Sequence, residues 1–484
     1  MSDNKRYYRP EWTCGRYNAE KHVAIYYNLI AGMSYFFESY SADIIGIVLN
    51  VGRKGYLDLD KISLDTGISR DSIDEFFNIL YSAKLVDTNI ASDKEIQKYR
   101  EFVRFNRKII SDNDIINDYQ DYSSMNADDA EDAYIEAVGG VTGVMLELTY
   151  LCSEQCIHCY NLGAKHDETE VNKRGDRIEL ALEDYRRIID EFIEQGLIRV
   201  CLTGGDPFSK PIVWDIIEYL YLKDIAIDIY TNGQNLIGKV DRLAKYYPKI
   251  VGVSIYSAVP EVHDKITRTK GSLIKTLSVM QRLCELAVPM YLKCCVLNIN
   301  FETYQTVYKL ARDYNAMPQI EINIRNTVDG NKYASRNLRL TDEQYESLFK
   351  DKHIYPNINE YSLSRVRKRN RNESTCKAGK NSFNVTPEGN LIPCCAFHHV
   401  FGNLKDEHLS SILNSDKLKI WRKTILSQFL ECDDHDYCSF CSICAGENYS
   451  ENSTPFLPAE NKCFLAKKRY EYACKIHSKT NGDV

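Results

Sequence analysis

The sequence predicts an α/β protein built on a parallel sheet or barrel, preceded by a small hairpin-and-helix module and followed by a cysteine-rich, metal-binding segment. Three observations predict it. From Val141 to about Asn326, short β-type runs alternate with amphipathic segments of helical period. Residues before 140 lack that alternation. Of seventeen cysteines, nine fall after residue 375, whereas residues 1–150 hold only Cys14. At roughly 150 residues per domain, 484 residues suggest about three domains. The 44% apolar and 27% charged content is that of a globular chain, which excludes collagen-like, disordered and coiled-coil classes.

The first module spans residues 1–105. Two β-rich runs within residues 22–37 are broken by Ala31-Gly32, which predicts a hairpin. Ala42–Leu49 is an apolar run with helical character, and Leu57–Gly67 and Ser69–Ala83 follow. In the last of these, Ile73, Phe76, Phe77 and Leu80 recur at helical spacing. This order resembles a winged helix. The module carries 14 Lys/Arg against 15 Asp/Glu, so it lacks the basic footprint of a phosphate binder. Residues 106–140, with nine Asp/Glu against two Arg/Lys, read as an acidic linker.

The alternating region, 141–345, has predicted strands Gly143–Thr149, Ile198–Thr203, Ala226–Tyr230, Ile250–Tyr256, Met290–Leu297 and Ile320–Ile324. Helices are predicted over Glu183–Gln195, Val213–Lys223, Val240–Tyr246, Leu273–Ala287 and Tyr304–Tyr314. Chemistry in such repeated βα units sits at the carboxyl ends of the strands. There the sequence places Cys152, Cys156 and Cys159 after the first strand, Gly204-Gly205-Asp206-Pro207 after the second, Thr231-Asn232-Gly233 after the third and Ser254 on the fourth. Three thiolates on one loop, spaced C-x3-C-x2-C, suit three irons of a cubane cluster and leave the fourth open. Structural zinc asks instead for four closed ligands. Beside Asp206, the glycines let backbone approach a ligand, and the carboxylate suits an ammonium group.

The cysteine spacing on this loop resembles the radical S-adenosylmethionine (radical SAM) enzymes. That resemblance implies a partial (β/α)6 barrel, and a 4Fe–4S cluster whose open iron chelates S-adenosylmethionine and cleaves it to a 5′-deoxyadenosyl radical. It also implies cofactor contacts from Gly204, Gly205, Asp206 and Ser254. His158 stands where the family usually has an aromatic residue, and Asp206 where it has Glu. Lys293 and Arg325, on later strands, are candidate carboxylate partners.

After 346 the chain is loop-rich. Cys376 is followed by Gly389 and Cys394 in a C-x12-G-x4-C arrangement, and Asn384–Pro393 reads as a hairpin around Pro387-Glu388-Gly389-Asn390. Cys432, Cys438, Cys441, Cys444 and Cys463 follow. The arrangement resembles the SPASM extension of peptide and protein maturases, which implies auxiliary 4Fe–4S clusters in 346–484. With Cys376, Cys394, Cys432, Cys438, Cys441, Cys444 and Cys463 as ligands, two clusters are one thiolate short. Cys438, Cys441, Cys444 and Cys463 are grouped on one of them. Cys14, Cys201, Cys284, Cys294, Cys295 and Cys474 read as small buried hydrophobes.

With such a body behind it, the first module resembles a recognition element for precursor-peptide leaders, which pairs a leader with a strand edge. The expectation is a radical SAM maturase of a ribosomally made peptide, forming a thioether between a cysteine sulfur and a carbon. Its partners are the precursor peptide and an electron donor such as flavodoxin or ferredoxin. Carbon–carbon crosslinking, oxidation, a sulfatase-maturase-like activity on a folded protein and a zinc-binding winged-helix regulator are the alternatives. A net charge of −7 gives no reason to expect nucleic acid. The polar first residues, with no run of about 18 apolar residues anywhere, predict a cytoplasmic protein without membrane contact.

Overall fold

The computed structural model describes residues 6–113, 127–161, 179–328, 330–355 and 369–480. Its first unit packs a three-stranded antiparallel sheet, β2 (Thr13–Asn18), β3 (Val23–Asn28) and β4 (Met33–Glu38), against three helices. A short pair joins β1 (Tyr7–Tyr8) to β5 (Tyr56–Leu57). The helices are α1 (Ser39–Asn50), α2 (Leu59–Thr66) and α3 (Arg70–Ser82). Asp58 caps α2 by accepting from Asp60 and Lys61 N–H, and Ser69 caps α3. The apolar stripe foreseen on α3 is buried at Ile73, Phe77 and Leu80. The hairpin at Ala31-Gly32 forms as expected, while β2 was not foreseen.

The acidic stretch is not a linker where it is described. The helix α4 (Asp93–Asn113) runs into it and α5 (Ala127–Val138) closes it; residues 114–126 lie outside the described set. Its carboxylate Glu131 is buried. Lys249 and Arg199 pair with it, the latter at 2.8 Å, and Tyr27 Oη donates to it at 3.0 Å. Composition alone cannot reveal this, because the neutralising cations lie more than sixty residues away.

Every predicted strand of the central region forms, and all six pair in parallel: β6 (Gly143–Glu147), β7 (Arg199–Thr203), β8 (Ala226–Thr231), β9 (Ile250–Ser254), β10 (Met290–Cys295) and β11 (Met317–Glu321). Between them lie α6 (Leu182–Glu194), α7 (Val213–Leu222), α8 (Val240–Ala244), α9 (Pro260–Thr267), α10 (Ser272–Glu285) and α11 (Thr306–Asp313). β11 starts earlier than predicted and includes Pro318, which an edge strand tolerates. Along each strand one parity is apolar and faces the helices: Val144 and Leu146, Val200 and Leu202, Ile227 and Ile229, Val251 and Val253. The other parity lines a concave face with Met145, Cys201, Asp228 and Tyr230.

Two short helices, α12 (Tyr333–Asn337) and α13 (Asp342–Leu348), lead to the cysteine-rich part. Its hairpin, β12 (Ser382–Val385) and β13 (Asn390–Ile392), extends the same sheet, because β12 pairs in parallel with β6. β14 (Gly402–Asn403) adds an edge, so the sheet runs β11-β10-β9-β8-β7-β6-β12-β13-β14. Helices α14 (Leu409–Leu413), α15 (Asp416–Arg422), α16 (Ala445–Asn452) and α17 (Glu460–Thr480) complete the chain. Among the described residues, no helix is long and apolar enough to cross a membrane.

The first unit is locked to the barrel by buried charges. Arg9 and Arg53 both pair with Asp224, at 2.7 and 2.9 Å, and Arg53 lies 3.7 Å over the Tyr221 ring. Replacing Glu131 by Ala would leave Arg199 and Lys249 facing each other without their shared carboxylate. Unfolding by urea is expected to show a loss of about 3 kcal/mol. Burial opposes ionisation of Glu131, but Lys249 and Arg199 outweigh it and hold the carboxyl below its ordinary range. The stabilisation is therefore present above about pH 4.3 and is lost as pH falls further. Glu131→Ala should flatten that acid limb of the stability profile.

Candidate metal centre

Strand β6 delivers the chain to Thr149, and the next ten residues form a loop carrying Cys152, Cys156 and Cys159. The thiols share one electrostatic neighbourhood. Burial pushes Cys152 up to about 12 and Cys156 further, and the charges of neighbouring thiols push in the same direction. Such thiols give up their protons only to a group that repays the charge, as iron does. Asn232 Nδ2 donates to Cys152 Sγ at 3.3 Å, and the Tyr256 hydroxyl lies 3.9 Å from Cys156 Sγ. Two buried polar atoms on the loop have no partner, Glu154 Oε1 and His158 Nδ1. Burial raises the Glu154 carboxyl to about 8 and lowers His158 to about 4. His158 meets Tyr256 edge-on at 4.8 Å, the place an aromatic residue would take. Three thiols on a half-buried loop with unused polar atoms fit an iron–sulfur cluster with a polar ligand beside it.

The Gly204-Gly205-Asp206 loop packs closely against the cysteine loop. A Cβ on Gly204 would collide with Thr149 O, and one on Gly205 with Tyr150 O and Leu151 O. Gly205 N donates to Thr149 O at 2.6 Å and Asp206 N to Leu151 O at 2.9 Å. The glycines are there so that two loops can touch backbone to backbone. Asp206 is wholly buried, accepting from the Thr231 hydroxyl at 2.5 Å and from Asn235 Nδ2 at 3.1 Å. Burial raises its carboxyl and these donors partly offset the rise. Asp206 thus holds the Thr231–Asn235 loop, whose Asn232 reaches Cys152. Ser254 ends β9, half-buried and in register with Lys293 on the concave face.

Among the described residues, neither Lys293 nor Arg325 forms a salt bridge with a carboxylate. Lys293 Nζ donates to Gln319 Oε1 at 2.6 Å and lies 3.9 Å over the Tyr230 ring, while Arg325 donates to Cys395 Sγ at 3.4 Å. Cys201 lines the barrel cavity rather than the apolar core. Cys14 and Cys294 are fully buried, as expected.

The later cysteines divide differently from the sequence grouping. Burial raises Cys432 to about 12, with the charges of Cys441, Cys463 and Cys438 next, and raises Cys463 to about 11, with those of Cys441 and Cys438 next. Cys444 instead stands at the N-cap of α16. Burial raises Cys394, and Cys395 and Cys444 raise it further. Cys432 thus shares its electrostatic surroundings with Cys438, Cys441 and Cys463, and Cys394 shares its own with Cys444. Cys376 Sγ accepts from Ala378 N at 3.4 Å, beside the start of β12. Among the described residues, no three such donors close around a single ion.

Gly205→Ala is expected to keep the fold, judged by far-ultraviolet circular dichroism, yet to lower the iron bound after anaerobic reconstitution, because the cysteine loop must shift. Gly143→Ala, whose nearest contact for the added Cβ is 3.8 Å away at Ser382, should bind as much iron as the parent.

Comparison with known proteins agrees with this geometry. Residues 146–313 match the radical SAM superfamily, and 376–445 match SPASM, an iron–sulfur cluster-binding domain. The antilisterial bacteriocin subtilosin biosynthesis protein AlbA of Bacillus subtilis is 27% identical over 312 residues, 62% of this chain and 65% of AlbA. The mycofactocin maturase MftC of Mycobacterium tuberculosis is 30% identical over 138 residues, 28% of this chain and 33% of MftC. The chain thus spans less than two thirds of the length of these relatives. Among solved structures, Streptococcus suis SuiB bound to precursor peptide SuiA superposes with a TM-score of 0.56 at 15% identity, covering 94% of this chain and 99% of SuiB. The enzyme anSMEcpe with bound AdoMet and Cp18Cys peptide gives 0.51 at 16%, covering 70% and 99%. These likenesses are of fold. The chain carries a radical SAM domain and a SPASM iron–sulfur domain on a mostly parallel α/β sheet, and with them the 4Fe–4S clusters and S-adenosylmethionine that these domains hold.

Proposed function

We propose that this protein is a maturase that modifies a ribosomally made precursor peptide by radical hydrogen abstraction, most readily forming a thioether. The observation that carries the reading is a cavity of about 540 Å³ that opens among the amino ends of the barrel strands, at Gly143, Arg199, Ile250, Met290 and Met317, and extends along the concave face. It is walled by Met145, Cys201 and Tyr230, reaches the Ala31–Met33 turn of the first unit and touches Cys394 and Cys395 of the SPASM domain. That volume suits a short peptide segment. When bound, the cluster of Cys152, Cys156 and Cys159 and S-adenosylmethionine supply a 5′-deoxyadenosyl radical, which takes a hydrogen from the peptide.

The chain's own residues supply position and shelter. Asp206 fixes the Thr231–Asn235 loop against the cysteines. Asn384 Oδ1 and Asp228 Oδ1, both buried at the cavity wall and without partners, are acceptors for peptide N–H groups. Tyr230 under Lys293, together with Met145, keeps water from the concave face. Support for the thioether comes from the cysteine count. Seven auxiliary cysteines, Cys376, Cys394, Cys432, Cys438, Cys441, Cys444 and Cys463, are one short of the eight that two clusters take, which would leave one iron position open to a substrate thiol. AlbA and MftC are named for peptide-product biosynthesis and maturation, which supports the class of substrate.

Leader capture falls to the first unit. β4 is the terminal strand of its sheet, and Phe37 on it meets Phe76 of α3 edge-on at 6.1 Å. Ile79, further along α3, is 60% exposed. An extended peptide added to β4 would lie along this apolar edge.

The reconstituted full chain, given S-adenosylmethionine, a reductant and cysteine-containing peptides encoded beside its gene, should release 5′-deoxyadenosine and return a peptide lighter by two hydrogens that no longer alkylates at one cysteine. Cys152→Ala should abolish both. A product that keeps every free thiol removes the thioether reading. Phe37→Asp should weaken leader binding by fluorescence anisotropy about tenfold or more, and unchanged affinity removes the recognition claim.

A further inference from the structure

The two partnerless acceptors of the barrel wall belong to one row. Across the concave face Asn384 on β12 pairs in register with Met145 on β6, Met145 with Cys201 on β7, and Cys201 with Asp228 on β8. All four line the cavity. The row therefore begins and ends on an unfilled oxygen, Asn384 Oδ1 and Asp228 Oδ1, and carries a thioether and a thiol between them. Both end residues are buried, Asn384 wholly and Asp228 at 7% exposure. Asn384 gives its Nδ2 to Glu147 Oε1 at 3.2 Å, which leaves its carbonyl oxygen for the cavity. The other oxygen of Asp228 lies 3.6 Å from Arg199 Nε. The charges here are already matched, since Arg199 and Lys249 balance Glu131 and Asp228, and Lys293 turns its ammonium to Gln319 Oε1. What each end lacks is a neutral hydrogen-bond donor.

The length of the row selects the donor. Three strand spacings of about 4.8 Å put its ends about 14 Å apart, and four residues of extended peptide at about 3.4 Å each span the same distance. In an extended chain the N–H groups of residues i and i+4 also point to the same side. A peptide laid along the strands would meet only one end of the row.

We propose that the core peptide crosses the barrel transversely, over Met145 and Cys201, with the N–H of one residue on Asp228 and that of the fourth residue after it on Asn384. The proposal rests on the peptide reading above and adds the course and direction of the chain. Direction follows from the two ends of the cavity. At one end the Ala31–Met33 turn of the first unit closes on the start of β10, where a Cβ on Gly32 would lie 3.8 Å from Pro289. At the other stand Cys394 and Cys395, and Ile392, two residues before Cys394, pairs with Asn384. In the sheet order β10-β9-β8-β7-β6-β12, Asp228 is the acceptor nearer the first unit. A core that follows a leader held there therefore reaches Asp228 first and Asn384 four residues later.

The test uses the anaerobically reconstituted full chain without S-adenosylmethionine. The probes are fluorescein-labelled copies of the core segment of the cysteine-containing peptide encoded beside the gene, each with one backbone N-methyl group, and binding is read by fluorescence anisotropy. In the parent, two positions four residues apart should each lose affinity by about fivefold or more, and the positions between them by less than about twofold. Asp228→Asn, which keeps its carbonyl oxygen on Arg199 and turns Nδ2 to the cavity, should abolish the effect at the N-terminal position of the pair and leave the other. Asn384→Ala should do the converse. A different spacing, the reverse assignment, or losses that persist in both variants overturn the proposal. If neither variant folds, judged by far-ultraviolet circular dichroism, the spacing found in the parent still decides. A core segment that binds the parent and shows no such pair removes the transverse course alone, whereas one that does not bind the parent at all removes the peptide reading beneath it as well.

Discussion

Strand β6 is the element on which the other parts depend. It is held in parallel register on both sides, by β7 of the barrel and by β12 of the cysteine-rich domain. Its carboxyl end therefore has no freedom to wander, and the loop that follows starts from a fixed point. Against that loop the Gly204-Gly205 backbone packs so closely that no Cβ fits, and the next residue, Asp206, reaches across to fix the Thr231–Asn235 loop. A chain of contacts thus runs from the loop after β6 to that after β7 by backbone and on to that after β8 through the Asp206 side chain, ending at Asn232, which donates to Cys152 Sγ. Because β12 shares the sheet, the first cysteines of the SPASM domain are placed by the same constraint.

The barrel is unusual in what it keeps inside. Its outer parity is a plain aliphatic core against the helices, whereas the inner parity carries Arg199, Cys201, Asp228, Tyr230 and Lys293. Closed barrels fill such positions with apolar side chains. A partial barrel that closes on a substrate has no such need, and polar groups left without partners at Asp228 and Asn384 mark where that substrate would complete the packing. The first unit is fastened to this region by Glu131 with Arg199 and Lys249, and by Asp224 with Arg9 and Arg53. Buried pairs of this kind add little net stability but penalise any other arrangement of the two units.

What could be read in the sequence followed from local signals. The six strands were legible because each is a short apolar run between helices of clear period, and the three-cysteine loop because its ligands lie within eight residues. Strand β2, with the sequence TCGRYN, carries too little apolar alternation to be seen. α5 was hidden by composition, since its acidic residues look solvated until Arg199 and Lys249 arrive from elsewhere in the chain. The auxiliary cysteines were recognisable as a set but not in their grouping. Spacing alone puts Cys444 with Cys441, whereas the structure places Cys444 at the N-cap of α16, where its charge acts on Cys394, while Cys432 feels Cys441, Cys463 and Cys438. Loop residues three apart can face different sites once a helix begins between them.

The cysteine loop divides the molecule functionally as well as structurally. The barrel strands, the Ala31–Met33 turn of the first unit and Cys394 and Cys395 share one cavity, built from groups far apart in sequence. On the outer side of the cysteine loop lies a short local segment, the α9–α10 turn, bonded to the loop by backbone alone. Within it Ile266, Thr267, Ser272 and Leu273 are buried, whereas Lys265, Arg268, Lys270 and Lys275 are exposed. Packing and backbone bonds thus fix this segment through its apolar and hydroxyl side chains, and leave its charges to solvent.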